Sequence, residues 1–406
     1  MKKTSNILIT ISFLLFLLLP QAGLLFNFVG EGEEFQNRKL SPYPEISAES
    51  VFSSSFGLEM NSYIWDHFPL RSDLLKIDHW IDYHIFKDSP VPDKVLIGKE
   101  DTFFIYQSIT KYPKNNLSSL NKYKEIFTKA AEIHRKRKPK IFFVFSPSKA
   151  SLYPEFLPDS FKKKYLVGDK KFRSELEEYS GKTKNILLLW DAFNKRKNEL
   201  SSKSPQTDID KRLRYLFRPY DQHFHWETAI YQAKLIVDFL APGKWKGETF
   251  NKYFTNYKYE KSEIEKRFFK IDLPEPYKEF IHKDFFSAFN IWQIGRKSPN
   301  GLEKYIEFKK KGPEKITPLN KNLVVIHDSF LFKSKYFITP FFKRSVFIKW
   351  KKHKVSDFFI PIIKNADIIL LHGFESHFFA KLKSIEKILD NLGKKNSHHP
   401  LISLYQ

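Results

Sequence analysis

The chain contains no cysteine. A disulfide framework, a thiolate nucleophile and a cysteine-ligated metal are therefore excluded, while the compartment stays open, because proteins of any compartment can lack the residue. Also missing are the marks of a nucleic-acid binder or a nucleotide enzyme: no zinc-finger spacing, no RNP pattern and no Gly-Lys-Ser phosphate loop occurs. No segment repeats, and no tract is of low complexity. Acidic residues are in deficit, 46 Asp and Glu against 69 Lys and Arg, which leaves a formal charge of +23 over 406 residues. Such a surface attracts polyanions. Without a nucleic-acid motif beside the charge, nucleic acid is not expected, and an acidic polysaccharide or anionic headgroups fit as well. The basic runs at residues 134–138, 162–164, 309–311 and 349–352 read as solvated faces.

At its start the chain carries a membrane-type segment. Lys2 and Lys3 precede an apolar run that begins at Ile7 and continues, across Pro20-Gln21-Ala22-Gly23, to Val29. As a cleaved secretory signal it has the charged start and the apolar core, but residues 19–23 offer a poor small-x-small cleavage pattern. As an anchor, its 23 residues make about 34 Å of helix at roughly 1.5 Å per residue, enough to span a bilayer core. The uncleaved anchor is the expectation. The lysines ahead of it place the short N-terminus inside and the body on the periplasmic, or otherwise extracytoplasmic, face of the inner membrane.

Residues 1–29 thus form the anchor or signal, and residues 30–60, polar and holding Pro42 and Pro44, form a tether. Residues 61–406 are expected to fold as one elaborated domain, with ample apolar area from 42 Phe, 19 Tyr and 7 Trp. Residues 61–86 suit helices broken at Pro69. Val95-Leu96-Ile97-Gly98 and Thr102-Phe103-Phe104-Ile105-Tyr106 read as a hairpin. Beyond them, helical stretches at 117–137, 228–240 and 379–392 alternate with short continuous apolar runs at 141–145, 186–189, 323–326, 346–348 and 368–371. That rhythm predicts an α/β fold, a mostly parallel sheet covered by helices on both faces. Residues 243–322 interrupt it and read as an insertion.

In such a sheet reactive groups gather beyond the carboxyl ends of the strands. Leu323-Val324-Val325-Ile326-His327 runs directly into Asp328-Ser329-Phe330, which would present the Ser329 hydroxyl at the sheet edge near oriented backbone N–H groups. Taken alone, a Ser after a strand is most often a turn or cap residue. The second loop, Arg218-Pro219-Tyr220-Asp221-Gln222-His223-Phe224-His225-Trp226, pairs a carboxylate with an imidazole two residues on, which supplies a base and its orienter together. A metal reading of His223 and His225 lacks a third and fourth ligand, so neither metal nor other cofactor is expected. Lys149 and Tyr153, in the loop after residues 141–145, are candidates to line the same cleft and contact substrate, as is His225.

The sequence resembles the alginate O-acetyltransferase family over most of residues 60–375. The resemblance is carried by Asp66-His67-Phe68-Pro69-Leu70-Arg71, by Val95-Leu96-Ile97-Gly98-Lys99, and by Ser146-Pro147-Ser148-Lys149-Ala150-Ser151-Leu152-Tyr153-Pro154-Glu155. The Asp221-Gln222-His223 loop and His327-Asp328-Ser329-Phe330 complete it, in that order. It implies an SGNH-hydrolase-like three-layer α/β/α domain in which Ser329 attacks an acyl donor, His223 moves the proton and Asp221 orients the imidazole. It further implies O-acetyl transfer to a cell-envelope or secreted polysaccharide, with the acyl group passed on by a multi-spanning membrane acyltransferase. Two departures stand out. The family places Trp directly after its His, whereas here Phe224 follows His223 and the His-Trp pair is His225-Trp226, so His225 stays in view as the base. His327 stands where SGNH hydrolases carry Gly, beside the expected oxyanion hole. A carbohydrate acetyl esterase, or a non-catalytic polysaccharide-binding or assembly protein on the same fold, are the alternative functions.

Overall fold

The computed structural model describes residues 6–14, 18, 39–68, 71–136, 139–202, 204–207, 215–245, 250–256, 258–261, 268–269, 273–277, 280–289, 291–297, 304–310, 318–350 and 357–393. It contains two compact units, one of residues 1–96 and 261–274, the other of residues 97–260 and 275–406. Of the expected membrane span, residues 7–14 and 18 are described, as helix, and the rest lies outside the described residues. Among the described residues no helix is long and apolar enough to cross a membrane.

The first unit is built on α1 (Phe56–Asp66) and α2 (Arg71–Ile81), the latter prolonged by a π-helical turn through Phe86. Its start is fastened by Ser41, whose backbone N–H and hydroxyl both donate to Asp66 Oδ2 at 2.8 Å. Within α2 the buried positions are Ser72 and His79, and His79 Nδ1 lies 2.7 Å from the carbonyl of Phe269.

The hairpin β1 (Val95–Ile97) and β2 (Phe103–Ile105) is closed by the Gly98 N–H donating to the Thr102 carbonyl at 2.8 Å. The second unit continues with α3 (Leu120–Lys136), β3 (Lys140–Ser146), α4 (Asp159–Thr183), β4 (Ile186–Leu188), α5 (Trp190–Ser201) and α6 (Trp226–Leu240). After these come β5 (Ile291–Lys297), β6 (Lys304–Lys310), β7 (Leu319–His327), β8 (Phe342–Lys349), β9 (Ile368–Phe374) and α7 (Leu382–Gly393). The seven strands form one sheet in the order β4-β3-β9-β7-β8-β6-β5. Five of them run parallel, and β6 and β5 close one edge antiparallel. The apolar runs of the sequence are the parallel strands, and the stretch at 243–322 supplies the antiparallel edge.

Strand geometry sends adjacent side chains to opposite faces, and β3 shows what covers each. Phe143 and Phe145 meet Phe127 of α3, with ring centroids 4.9 and 6.0 Å apart. Phe142, between them, meets Phe239 of α6 at 5.4 Å. The sheet is therefore a middle layer between helices. In α3 the buried residues are Tyr123, Ile126, Phe127, Ala130 and Ile133, the three-and-four spacing of one helix face. In α7 they are Leu382, Ile385, Ile388, Leu389 and Leu392. Lys122–Glu386 and Lys129–Asp390 ion pairs tie the two helices side by side. All seven residues of β9 are buried, as expected of a strand covered on both faces.

Candidate active site

The parallel register aligns the carboxyl ends of β3, β9, β7 and β8: Phe374 pairs with Ser146, and Lys349 with His327. The loops leaving these ends hold the chemistry. β7 runs straight into Asp328, whose backbone is extended and whose carboxylate caps a single 3-10 turn, Ser329–Leu331, by accepting the Phe330 N–H at 3.1 Å. Ser329 is half-buried. Among the described residues its hydroxyl and its backbone N–H meet no hydrogen-bonding partner, the state required of a nucleophile and of an oxyanion donor.

The turn is clamped from below. Asp328 Oδ2 accepts the Phe374 N–H at 2.7 Å and the Lys381 ammonium at 2.8 Å, and Oδ1 faces His372 Nδ1 at 3.3 Å. Burial alone would raise this carboxyl, but Lys381 and His372 outweigh it and hold Asp328 well below the ordinary range. Behind it the polar contacts continue inward. Ser334 donates to Gln232 Oε1, Gln232 Nε2 donates to Ser146 Oγ at 2.7 Å, and Ser146 Oγ stands 2.8 Å from His372 Nε2. The Phe330 ring lies flat on Phe374, 3.6 Å away and tilted by 3°. Gly373 admits the Phe378 ring so closely that a Cβ there would fall 1.7 Å from a ring carbon.

The second loop is a narrow hairpin. His225 N–H donates to the Leu216 carbonyl at 3.3 Å and Arg218 N–H to the His223 carbonyl at 3.2 Å, and Phe217 bridges Phe224. At its tip Asp221 Oδ1 accepts both the backbone N–H of His223, at 3.0 Å, and its ring Nδ1, at 2.9 Å. Arg218 Nη1 stands 3.5 Å from the other oxygen. Burial would raise the Asp221 carboxyl, yet the hydrogen bond and charge of His223, with Arg218, hold it well below the ordinary carboxylate range. An ionised Asp221 fixes the proton of His223 on Nδ1 and leaves Nε2 as the basic nitrogen.

The structure brings the two loops together. The His223 ring lies 5.2 Å from that of Phe330, and Phe224 lies 5.8 Å from the same ring. Lys333, four residues after Ser329, donates to the Phe224 carbonyl at 2.8 Å. His225 is buried; among the described residues its Nε2 has no hydrogen-bonding partner, and burial pushes its imidazole down to about 3. His327 is buried too and pushed by burial to about 3, with Nδ1 2.6 Å from the Asp328 carbonyl.

Lys149 and Tyr153, read from the sequence as substrate contacts, lie beneath the Asp221 hairpin and hold its backbone. Lys149 is 5% exposed, and its ammonium reaches the carbonyls of Phe103 at 3.0 Å, Arg218 at 2.8 Å, Pro219 at 2.6 Å and Asp221 at 3.0 Å. The Tyr153 hydroxyl accepts the Leu216 N–H at 2.8 Å. Sequence reasoning missed Lys333, Lys381, His372 and Gln232. A lone His inside the apolar run of β9 was a readable sign of a buried polar network; Lys381, 53 residues from Asp328, left none. Among the described residues no group of three or more His, Asp and Glu is placed to hold a metal ion.

No family model and no curated protein sequence matches the chain. Solved structures do. Bacillus cereus PatB1, determined with a sulfonyl adduct, is 12% identical, covers 71% of this chain and 99% of its own, and superposes with a TM-score of 0.50. The O-acetyltransferase domain of Pseudomonas putida AlgJ is also 12% identical, covering 73% of this chain and 99% of its own with a TM-score of 0.39. Pseudomonas aeruginosa AlgX is 10% identical and covers 75% and 69%, with a TM-score of 0.37. The likeness to PatB1 is one of fold.

Proposed function

We propose that the chain is an SGNH-like acyl-transfer enzyme of the cell envelope that moves an O-acetyl group to a polysaccharide through Ser329, His223 and Asp221. The observation that carries this reading is the convergence of two loops far apart in sequence. An Asp–His pair with the proton fixed on Nδ1 meets the turn that bears Ser329, a serine with an uncommitted hydroxyl and N–H.

In the first half-reaction Ser329 Oγ bonds to the acyl carbon as its proton passes to His223 Nε2, and the leaving group departs with that proton. In the second, a sugar hydroxyl gives its proton to Nε2 and takes the acyl group, and Ser329 is restored. The Ser329 N–H faces the negative charge that develops on the carbonyl oxygen in both. Water and a sugar hydroxyl attack the same acyl-enzyme, so preference for transfer rests on the sequence resemblance. Residues 7–29 would hold the chain at the extracytoplasmic face, where a multi-spanning acyltransferase would pass on the acyl group.

Mass spectrometry of the chain incubated with a chromogenic acetyl ester, with and without an oligosaccharide acceptor, tests the proposal. Acetylation of Ser329, and its discharge to the acceptor, is expected. Ser329→Ala should fold normally and lose activity by about three orders of magnitude or more. His223→Ala should lose a comparable factor, and His225→Phe should stay within about tenfold of wild type. Full turnover by Ser329→Ala would remove the mechanism.

A further inference from the structure

We propose that the first unit seats on the surface of a lipid bilayer through one face of α2. This helix is built inside out. Its buried positions are Ser72 and His79, while Leu74, Ile77 and Trp80 are 44%, 56% and 49% exposed, and Ile85 and Phe86 extend the exposed apolar surface beyond its end. At 100° per residue, Leu74, Ile77, Trp80 and Ile81 fall within one stripe about a third of the helix circumference wide. Trp65 and Leu58 of α1, seven residues apart, add a second exposed apolar row. Water does not select such an arrangement, and contiguous exposed apolar patches mark an interaction surface.

The chain itself indicates the occupant. Nine residues, 30–38, separate the end of the apolar run at Val29 from Lys39, a reach of at most about 36 Å. The Ser41–Asp66 hydrogen bonds then bring the incoming chain to the end of α1, beside Trp65. A chain retained by residues 7–29 therefore delivers these helices to the bilayer it enters, and indole rings favour the headgroup boundary. Charge decides the mode of attachment. The unit, residues 1–96 and 261–274, holds 12 Lys and Arg against 15 Asp and Glu, in a chain of net charge +23. This unit cannot be drawn down by anionic lipid, so it adheres by burying apolar side chains and is indifferent to salt, unlike a polybasic surface.

The absence of cysteine allows a single label. Full-length Ile77→Cys carrying an environment-sensitive fluorophore is placed in phosphatidylcholine nanodiscs with doxyl-labelled lipid, beside Lys163→Cys on α4 as the reference. The label at position 77 should be quenched at least several-fold more than that at 163, undiminished in about 0.5 M salt. Equal quenching at the two positions would overturn the proposal and leave the stripe to a protein partner. Quenching that needs anionic lipid and vanishes in salt would assign attachment to the basic remainder of the chain and overturn it too. So would protection of the label without lipid that grows with protein concentration, since a second copy would then cover the face.

Discussion

The ammonium of Lys333 donates to the carbonyl oxygen of Phe224 at 2.8 Å, joining the segment that bears Ser329 to the hairpin that bears His223. The bond is part-buried, and the same ammonium lies 5.2 Å from the centre of the Trp226 ring. A charged donor on a backbone carbonyl is worth more than a neutral one and fixes direction as well as distance. Lys333→Met keeps the aliphatic stem and deletes the donor. Turnover should fall by about ten- to a hundredfold with KM for the acyl donor nearly unchanged, because the loss is one of alignment. A rise in KM at constant turnover would show Lys333 touching substrate instead.

Asp221 contributes to stability as well as to orientation. Its carboxyl is held below the value of an unfolded chain, so it stabilises the fold in full above about pH 4, and this is lost as the pH falls through the folded-state value. Asp221→Asn should therefore be less stable than wild type at pH 7. The gap in unfolding free energy should narrow steadily below pH 4. Acyl transfer by the variant should drop by about three to four orders of magnitude, since the amide no longer holds His223 in the working tautomer.

Lys149 separates a positioning role from a binding role. Its three N–H groups serve four carbonyls around the Asp221 hairpin, and removal leaves buried acceptors unpaired. Lys149→Met should cost about 3 kcal/mol or more, measured by denaturant unfolding. At a temperature where the variant is folded, turnover should fall and acceptor KM should hold. Unchanged stability with a raised acceptor KM would return Lys149 to the substrate-contact role read from the sequence.

Much of the fold was legible because parallel strands announce themselves. Continuous runs such as Ile141-Phe142-Phe143-Val144-Phe145 are what a strand covered on both faces must contain, and the helical spacing of Tyr123, Ile126, Phe127 and Ala130 needs no tertiary knowledge. Asp221 and His223 were legible for a similar reason, since a two-residue separation lets carboxylate and imidazole bond locally. The rest depended on chain paths that no local pattern records. Lys149 looked like a cleft residue because it follows a strand end, and only the fold shows the Arg218–Asp221 backbone closing over its ammonium. Lys381 belongs to a 3-10 segment after β9, and its bond to Asp328 exists because β7 and β9 are neighbours in the sheet.

Lys335 provides a prediction on stability alone. It is 1% exposed, its ammonium lies 3.7 Å from the centre of the Phe332 ring and 4.9 Å from that of Tyr336, and burial, with Lys349 nearby, pushes it down to about 7. An unfolded chain releases that proton only at about pH 10.4. Below pH 7 both states carry the charge, and the folded state bears the full cost of burying it. Between pH 7 and about 10.4 the unfolded chain holds a proton that the folded chain lacks, so the stability of the wild type relative to a non-titrating side chain rises with pH. Lys335→Met, similar in length and without charge, should stabilise the protein at pH 6 by on the order of 3 kcal/mol, less whatever the two rings return to the ammonium. That gain should shrink across pH 7 to 10, as read by denaturant unfolding of both proteins at each pH. A gain that does not change over this range would mean that Lys335 keeps an ordinary, solvated ammonium.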